Sequence, residues 1–247
     1  ADFAILWTDL YDFYRKLGFE LAGQEISFVL EKMPTQQNTG LKFICSEKVS
    51  PEALLRLYSQ HTCGTMRTAE DIKKYLQIPN SHIYTAWSAQ NELMAYAVEG
   101  KGADLSGYIH EWGGAVSSLM SLFAHIRNEQ NRPITIISPV HAKNLINHLQ
   151  NWPVTRNDGF LGMIRPVHLE NLFFKIRRHA RNLGLNDFII EKKENYFVIG
   201  TKHDLATISS LGELTRLVFG PVEPSLLKSQ FQNIFPIPMW IWGWDSV

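Results

Sequence analysis

Between Leu41 and Gln150 short apolar runs alternate with stretches whose apolar residues recur at helical spacing, and this alternation constrains the fold more than any single motif. Leu41 to Cys45, LKFIC, has strand character. Ser50-Pro51-Glu52 starts a helix, because Ser caps it, Pro is tolerated in the first turn and the acid suits the dipole. Leu54, Leu55, Leu57 and Tyr58 give that helix an apolar face. Thr68 caps a second helix over Ala69 to Leu76, with Ile72, Tyr75 and Leu76 on one side. Ile83 to Trp87 and Leu93 to Glu99 read as strands joined by the polar turn Ser88 to Glu92. Ser106 to Trp112 is a further strand that runs through Gly113-Gly114 into an amphipathic helix from Ala115 to about Asn128. Ile134 to Ser138 is a buried strand, and a helix follows from about Val140 to Gln150. This succession predicts an α+β architecture of mixed sheets flanked by helices.

Both flanks are shorter. Ala1 to Leu6 is an apolar strand-like run without a cap or turn before it, as though the chain began inside a sheet. Thr8 or Asp9 caps a helix carrying Leu10, Phe13, Tyr14 and Leu17, which ends at Gly18. Phe19 to Glu31 reads as one or two strands around Ala22-Gly23, and Pro34 to Gly40 has linker composition. Such a strand–helix–strand unit cannot bury its faces alone. Beyond Arg165-Pro166, His168 to Leu183 is a helix with Leu169, Leu172, Phe173 and Ile176 inward and Lys175, Arg177, Arg178, His179 and Arg181 in a basic stripe. Phe188 to Glu191 and Tyr196 to Thr201 are strands, and Ser209 or Ser210 caps a short helix ending at Gly220-Pro221. Phe235 to Val247 contains Trp240, Trp242 and Trp244 and is too apolar for a free end in water, so it must pack.

Charge and cysteine usage narrow the function. Lys+Arg and Asp+Glu both number 24, so no chain-wide field draws phosphate backbones or anionic lipid; no nucleic acid or membrane partner is expected, and the basic stripe reads as a solvated face. No apolar run has the length of a membrane span and no secretory signal opens the chain, so the expected setting is cytoplasmic. Cys45 and Cys63, without CxxC or His partners, are expected to be two buried thiols, and no metal site is indicated. His110 and Glu111 are neighbours on a strand and point to opposite faces, so without a bulge one should face the core and the other solvent or a seam. Gly113-Gly114 reads as a tight strand-to-helix turn in preference to an anion site.

Tyr11 to Glu20, YDFYRKLGFE, resembles the FYxKLGFE signature late in the GNAT acetyltransferase fold, where a strand leads to a helix and then to the last hairpin. The resemblance implies acetyl-CoA as co-substrate and an amine acceptor, with Tyr14 as the general acid that protonates the departing thiolate. It also implies a Q/R-x-x-G-x-G/A turn for the CoA pyrophosphate. No such turn precedes Ala1, and EWGGAVSSL lacks both the Gln/Arg and the spacing. The expectation is therefore that the first half of a first acetyltransferase domain, with the cofactor loop, lies upstream, and that the acetyl-CoA site is largely outside this chain. The order of elements over 41–165 is that of a second, degenerate GNAT-like domain. The closing LTRLVFGP and FPIPMWIWGWDSV segments resemble the small sterol-carrier-like α+β C-terminal region of multi-domain acetyltransferases of the enhanced intracellular survival type. On this reading the domains are 1–34, 41–165 and 166–247, the Val247 α-carboxylate assists as base, and copies assemble as a homo-oligomer. Two alternatives stay open: a non-catalytic scaffold or binding module, and a carrier of an apolar ligand.

Overall fold

The computed structural model describes residues 1–32, 40–221 and 231–246; Val247 and nearly all of the linker-like stretch lie outside the described residues. Along the chain run β1 (Phe3–Leu6), α1 (Tyr11–Lys16), β2 (Glu20–Ala22), β3 (Glu25–Leu30), β4 (Lys42–Cys45), α2 (Pro51–Tyr58), α3 (Ala69–Tyr75), β5 (His82–Trp87), β6 (Leu93–Lys101), β7 (Asp104–Gly114), α4 (Val116–Gln130), β8 (Ile134–Pro139), α5 (Lys143–Leu149), β9 (Val154–Gly159), β10 (Gly162–Pro166), α6 (Leu169–Asn182), β11 (Ile189–Lys192), β12 (Phe197–Thr201), β13 (Asp204–Ile208) and α7 (Leu211–Phe219). They form two compact units, Ala1–Gln24 with Phe160–Met239, and Glu25–Gly159 with Trp240–Val247.

The second unit is built on a seven-stranded sheet in the order β4-β5-β6-β7-β8-β3-β9. Every neighbouring pair is antiparallel except β7 and β8. Ser50 caps α2 by accepting from the Ala53 N–H, and Thr68 and Asp71 close a capping box on α3. β3 alternates half-buried and buried positions, with Ile26, Phe28 and Leu30 inward. The strand itself lies between β8 and β9, antiparallel to both.

In the first unit β10 lies between β1 and β2, and α1 connects β1 to β2. A separate antiparallel sheet, β11-β12-β13, shares one core with it. Leu172, Phe173 and Ile176 of α6, Leu214, Leu217 and Val218 of α7, Ala22 of β2 and Ile164 of β10 all belong to that core. The basic stripe of α6 is partly tethered: Lys175 pairs with Asp2, and Arg177 donates to the Ile190 carbonyl at 2.9 Å.

The segments 1–34, 41–165 and 166–247 read from the sequence do not coincide with these units. Residues 25–30 pair within the second unit, residues 162–166 within the first, and the last residues return to the second. Alternation along a strand fixes which face is buried, whereas the choice of neighbouring strand leaves no mark in it. β9, whose VTRNDG is almost wholly exposed, was not expected, because an exposed polar strand carries no apolar signal; β10 and β13 were not expected either. On and beside α1, Leu10, Phe13 and Leu17, which recur at helical spacing, are exposed. Cys45 is exposed and Cys63 half-buried, so the expectation of two buried thiols fails as well.

Candidate functional site

Tyr14 sits on α1, half-buried, with its ring edge-on to Phe13 and Phe19 at centroid distances of 5.1 and 5.8 Å. Arg15 beside it bonds Asp12 and Glu20. Among the described residues no titratable group pairs with Tyr14. Val247, the other residue singled out, lies outside the described residues.

The densest chemistry is in the second unit. The register of β6 and β7 passes from Val98↔Glu111 to Glu99↔Ile109, which makes His110 the extra residue of a β-bulge. The bulge turns both neighbours inward, and His110 and Glu111 are 2% and 0% exposed. Of the expectation that one faces the core and the other solvent or a seam, the solvent alternative fails, since neither is exposed. Glu111 receives a fork from Arg67, with Nη1 donating to Oε1 at 2.7 Å and Nη2 to Oε2 at 2.9 Å, and a third bond from the Tyr96 hydroxyl at 3.2 Å. The same guanidinium donates to Asp245, Nε to Oδ1 at 2.9 Å and Nη2 to Oδ2 at 2.7 Å. It lies over the Tyr58 ring, 3.9 Å from the centroid. Burial opposes the charge on Arg67, but the bonds to Glu111 and then Asp245 outweigh it and hold the guanidinium protonated. For Glu111, burial dominates and pushes the carboxyl above its usual range against the pull of Arg67.

A second cation balances the cluster. Lys101 Nζ donates to the Gly243 carbonyl at 2.8 Å and to Ser246 Oγ at 3.2 Å. Around these charges the C-terminal segment packs as its composition demands. Trp242 is fully buried against His61, Trp112, Trp240 and Tyr58, and Trp244 stacks on Tyr75 and donates its indole N–H to Ser81 Oγ at 3.2 Å. A buried tryptophan removes about 150–250 Å² from water, which explains why this end does not fray. Arg67, Asp245 and Lys101 escaped sequence reading. The one signal was an acid inside a tryptophan-rich run, since burying Asp245 requires a cation somewhere else in the chain.

In sheets with parallel neighbours, ligands favour the crevice beyond the carboxyl ends of those strands. Here β7 and β8 pair only at Tyr108↔Thr135 and Ile109↔Ile136. Past that point the Trp112 indole N–H donates to the Ile137 carbonyl at 2.9 Å, a side-chain bond where the ladder has stopped. A crevice of about 290 Å³ remains, lined in part by His61, Trp112, Val116, His141 and Lys143. His61 Nε2 lies 2.7 Å from the Trp112 carbonyl; burial pushes its imidazole down to about 4 and lowers His141 too. Among the described residues of the lining, Lys143 is then the one fixed cation. A Cβ on Gly113 would fall 2.6 Å from the Tyr96 ring, and one on Gly114 2.3 Å from the Met94 carbonyl oxygen. Both glycines are thus required by packing on β6, and the turn does not form a diphosphate cradle. Among the described residues no helix is long and apolar enough to cross a membrane.

No protein-family model and no curated protein matches the chain. Among solved structures, a GCN5-related N-acetyltransferase from Anabaena variabilis ATCC 29413 superposes with a TM-score of 0.58 at 12% identity, over 97% of this chain and 72% of that one. A conserved protein of unknown function from Enterococcus faecalis V583, described as a probable N-acyltransferase, gives 0.54 at 13% identity, over 89% of this chain and 63% of that one. This chain therefore spans less than two thirds of the Enterococcus protein. At such identities the likeness is one of fold: the chain has the α+β fold of these two structures.

Proposed function

We propose that the chain is part of an acetyl-CoA-dependent N-acetyltransferase. The observation that carries this reading is the YDFYRKLGFE segment folded as α1 and the turn that leads into β2, in a chain whose fold matches that of a GCN5-related N-acetyltransferase. In the proposed reaction the acceptor amine attacks the thioester carbonyl carbon, the C–N bond forms and the C–S bond breaks. The Tyr14 hydroxyl gives its proton to the leaving sulfur, and the ammonium proton passes to the Val247 carboxylate; exchange with water restores both groups. An unperturbed α-carboxylate, with a pKa of about 3.5, is a weak base, so burial or a bridging water has to assist it. Acetyl-CoA would be held by the half-domain that the resemblance places before Ala1. A homo-oligomer is proposed on the same resemblance, and a cytoplasmic setting on the sequence reading.

The test is acetyl transfer from labelled acetyl-CoA to a panel of amines, using the protein with its upstream half-domain. Tyr14→Phe is expected to lower turnover by about 10²–10⁴-fold. Unchanged turnover would overturn the acid assignment.

For the second unit we infer a scaffold role. It is supported by Trp112 bridging the two parallel strands and by the Trp240–Ser246 segment packed on its own sheet and helices. Tight binding of CoA to residues 1–247 alone, read by calorimetry, would count against it.

A further inference from the structure

We propose that Arg165 sets the acceptor class: the amine to be acetylated carries an oxyanion, a carboxylate or a phosphate, at the end away from its nitrogen. This deepens the acetyltransferase reading and rests on the reaction taking place beside α1; the experiment separates the two.

Alternation along β10 puts Arg165 on the face opposite Ile164. Ile164 belongs to the core with α6 and α7, so Arg165 leaves the sheet on the other side, where it is exposed. Its guanidinium lies 6.0 Å from the centroid of the Phe19 ring, and a Cβ on Gly18 would come 3.5 Å from its Nε. The side chain therefore rests on the turn between α1 and β2. The Tyr14 ring meets the same Phe19 edge-on at 5.8 Å, so the proposed acid and a guanidinium share one aromatic neighbour.

The carboxylates of this turn are already committed. Arg15 bonds Asp12 at 3.2 Å and Glu20 at 3.3 Å, and Arg216 bonds Glu20 at 3.1 Å. Among the described residues no carboxylate pairs with Arg165. An arginine held by a ring and a turn has lost part of its freedom before an anion arrives, and its fork donates two parallel N–H bonds to a carboxylate or a phosphate. Such a cation acts with opposite signs on two kinds of amine. It draws an acceptor with a distal anion and repels a polyamine, whose second ammonium would approach it.

The experiment uses the full-length protein, acetyl-CoA and three acceptors that differ only at the far end: ε-aminocaproate, hexylamine and cadaverine. The expected kcat/KM for ε-aminocaproate is about tenfold that of hexylamine, with cadaverine below both. Arg165→Gln should raise KM for ε-aminocaproate about tenfold, keep kcat within about twofold and abolish the order. Arg165→Glu should reverse it, and Arg165→Lys, which keeps the charge without the fork, should recover part of it. Aminopentyl phosphate beside ε-aminocaproate tells which oxyanion is taken, since the better of the two loses more in Arg165→Gln. Titration without acetyl-CoA reads the site apart from the reaction: ε-aminocaproate should move the Gly18 and Phe19 amide signals, and Arg165→Gln should abolish the shift. If the order of acceptors survives Arg165→Gln while Tyr14→Phe lowers kcat for all three, the acceptor assignment is wrong and the acid reading stands. If Tyr14→Phe leaves kcat unchanged while Arg165→Gln abolishes the order, the acid reading falls and the role of Arg165 stands. If no amine is acetylated but the amide signals still move with ε-aminocaproate, the oxyanion site stands and the acetyltransferase reading falls. If those signals do not move, Arg165 holds no such ligand.

Discussion

Arg67 and Asp245 stand 178 residues apart in sequence and meet in two hydrogen bonds of 2.9 and 2.7 Å, with side chains 1% and 7% exposed. A second carboxylate, Glu111, fully buried, shares the guanidinium. The loop before α3, strand β7 and the chain end are thereby joined through one cation.

Removing that cation leaves two buried carboxylates facing each other. Breaking a buried pair from one side costs about 3–5 kcal/mol, so Arg67→Met should lower the unfolding free energy measured by urea titration by an amount of that order at pH 7. Protonating the carboxylates relieves the repulsion, and the deficit should shrink toward acid. A shift below about 1 kcal/mol, the value of an exposed pair, would mean the cluster is wet.

His61 and His110 set an acid limit. Burial pushes both imidazoles down to about 4, against an ordinary 6.5. Between those values the unfolded chain takes up protons that the folded one refuses. Stability is therefore full above about pH 6.5 and falls as pH drops toward 4, by up to about 3 kcal/mol for each histidine. Histidine titration followed by NMR should find midpoints near 4; a midpoint near 6.5 for either would mean that its ring is solvated.

Glu25 works in the opposite direction. It opens β3, opposite Pro139 and Gly159, and burial raises its carboxyl from 4.5 to about 7. The folded chain keeps a proton that the unfolded chain has lost, so this residue contributes a stability that declines as pH rises from about 4.5 to about 7. The slope opposes that of the histidines over the same window. Glu25→Gln should consequently steepen the loss of stability toward acid. An unchanged pH profile would show that the carboxyl is hydrated.

How much of this was legible depends on the range of each interaction. The caps at Ser50, Thr68 and Ser210 are local and were read from neighbours in the chain. The tryptophan-rich end had to be packed because of its composition, and it is. The partners of β3 and β10 were hidden, because an alternating run such as EISFVL states that one face is buried and is silent on the strand beside it. The His110 bulge was hidden for a related reason: one extra residue leaves the apolar pattern intact while turning the next side chain inward. Arg67 carried no signal at all, being a single arginine in a loop whose partners are distant in sequence.

Trp112 tests the reading of the second unit as a scaffold. Its indole N–H is the donor to the Ile137 carbonyl where the β7/β8 ladder has ended, and its ring packs edge-on against both His61 and Trp242. Trp112→Phe keeps most of the apolar area and removes the donor to the carbonyl of half-buried Ile137. The expected cost is about 1–3 kcal/mol, measured by urea unfolding. The crevice beside it should widen, yet CoA should still fail to bind to residues 1–247 in calorimetry, because Gly113 and Gly114 stay committed to packing on Tyr96 and Met94. If the substitution alone conferred CoA binding, the indole would be what excludes the ligand, and the turn beneath it would be a working anion site.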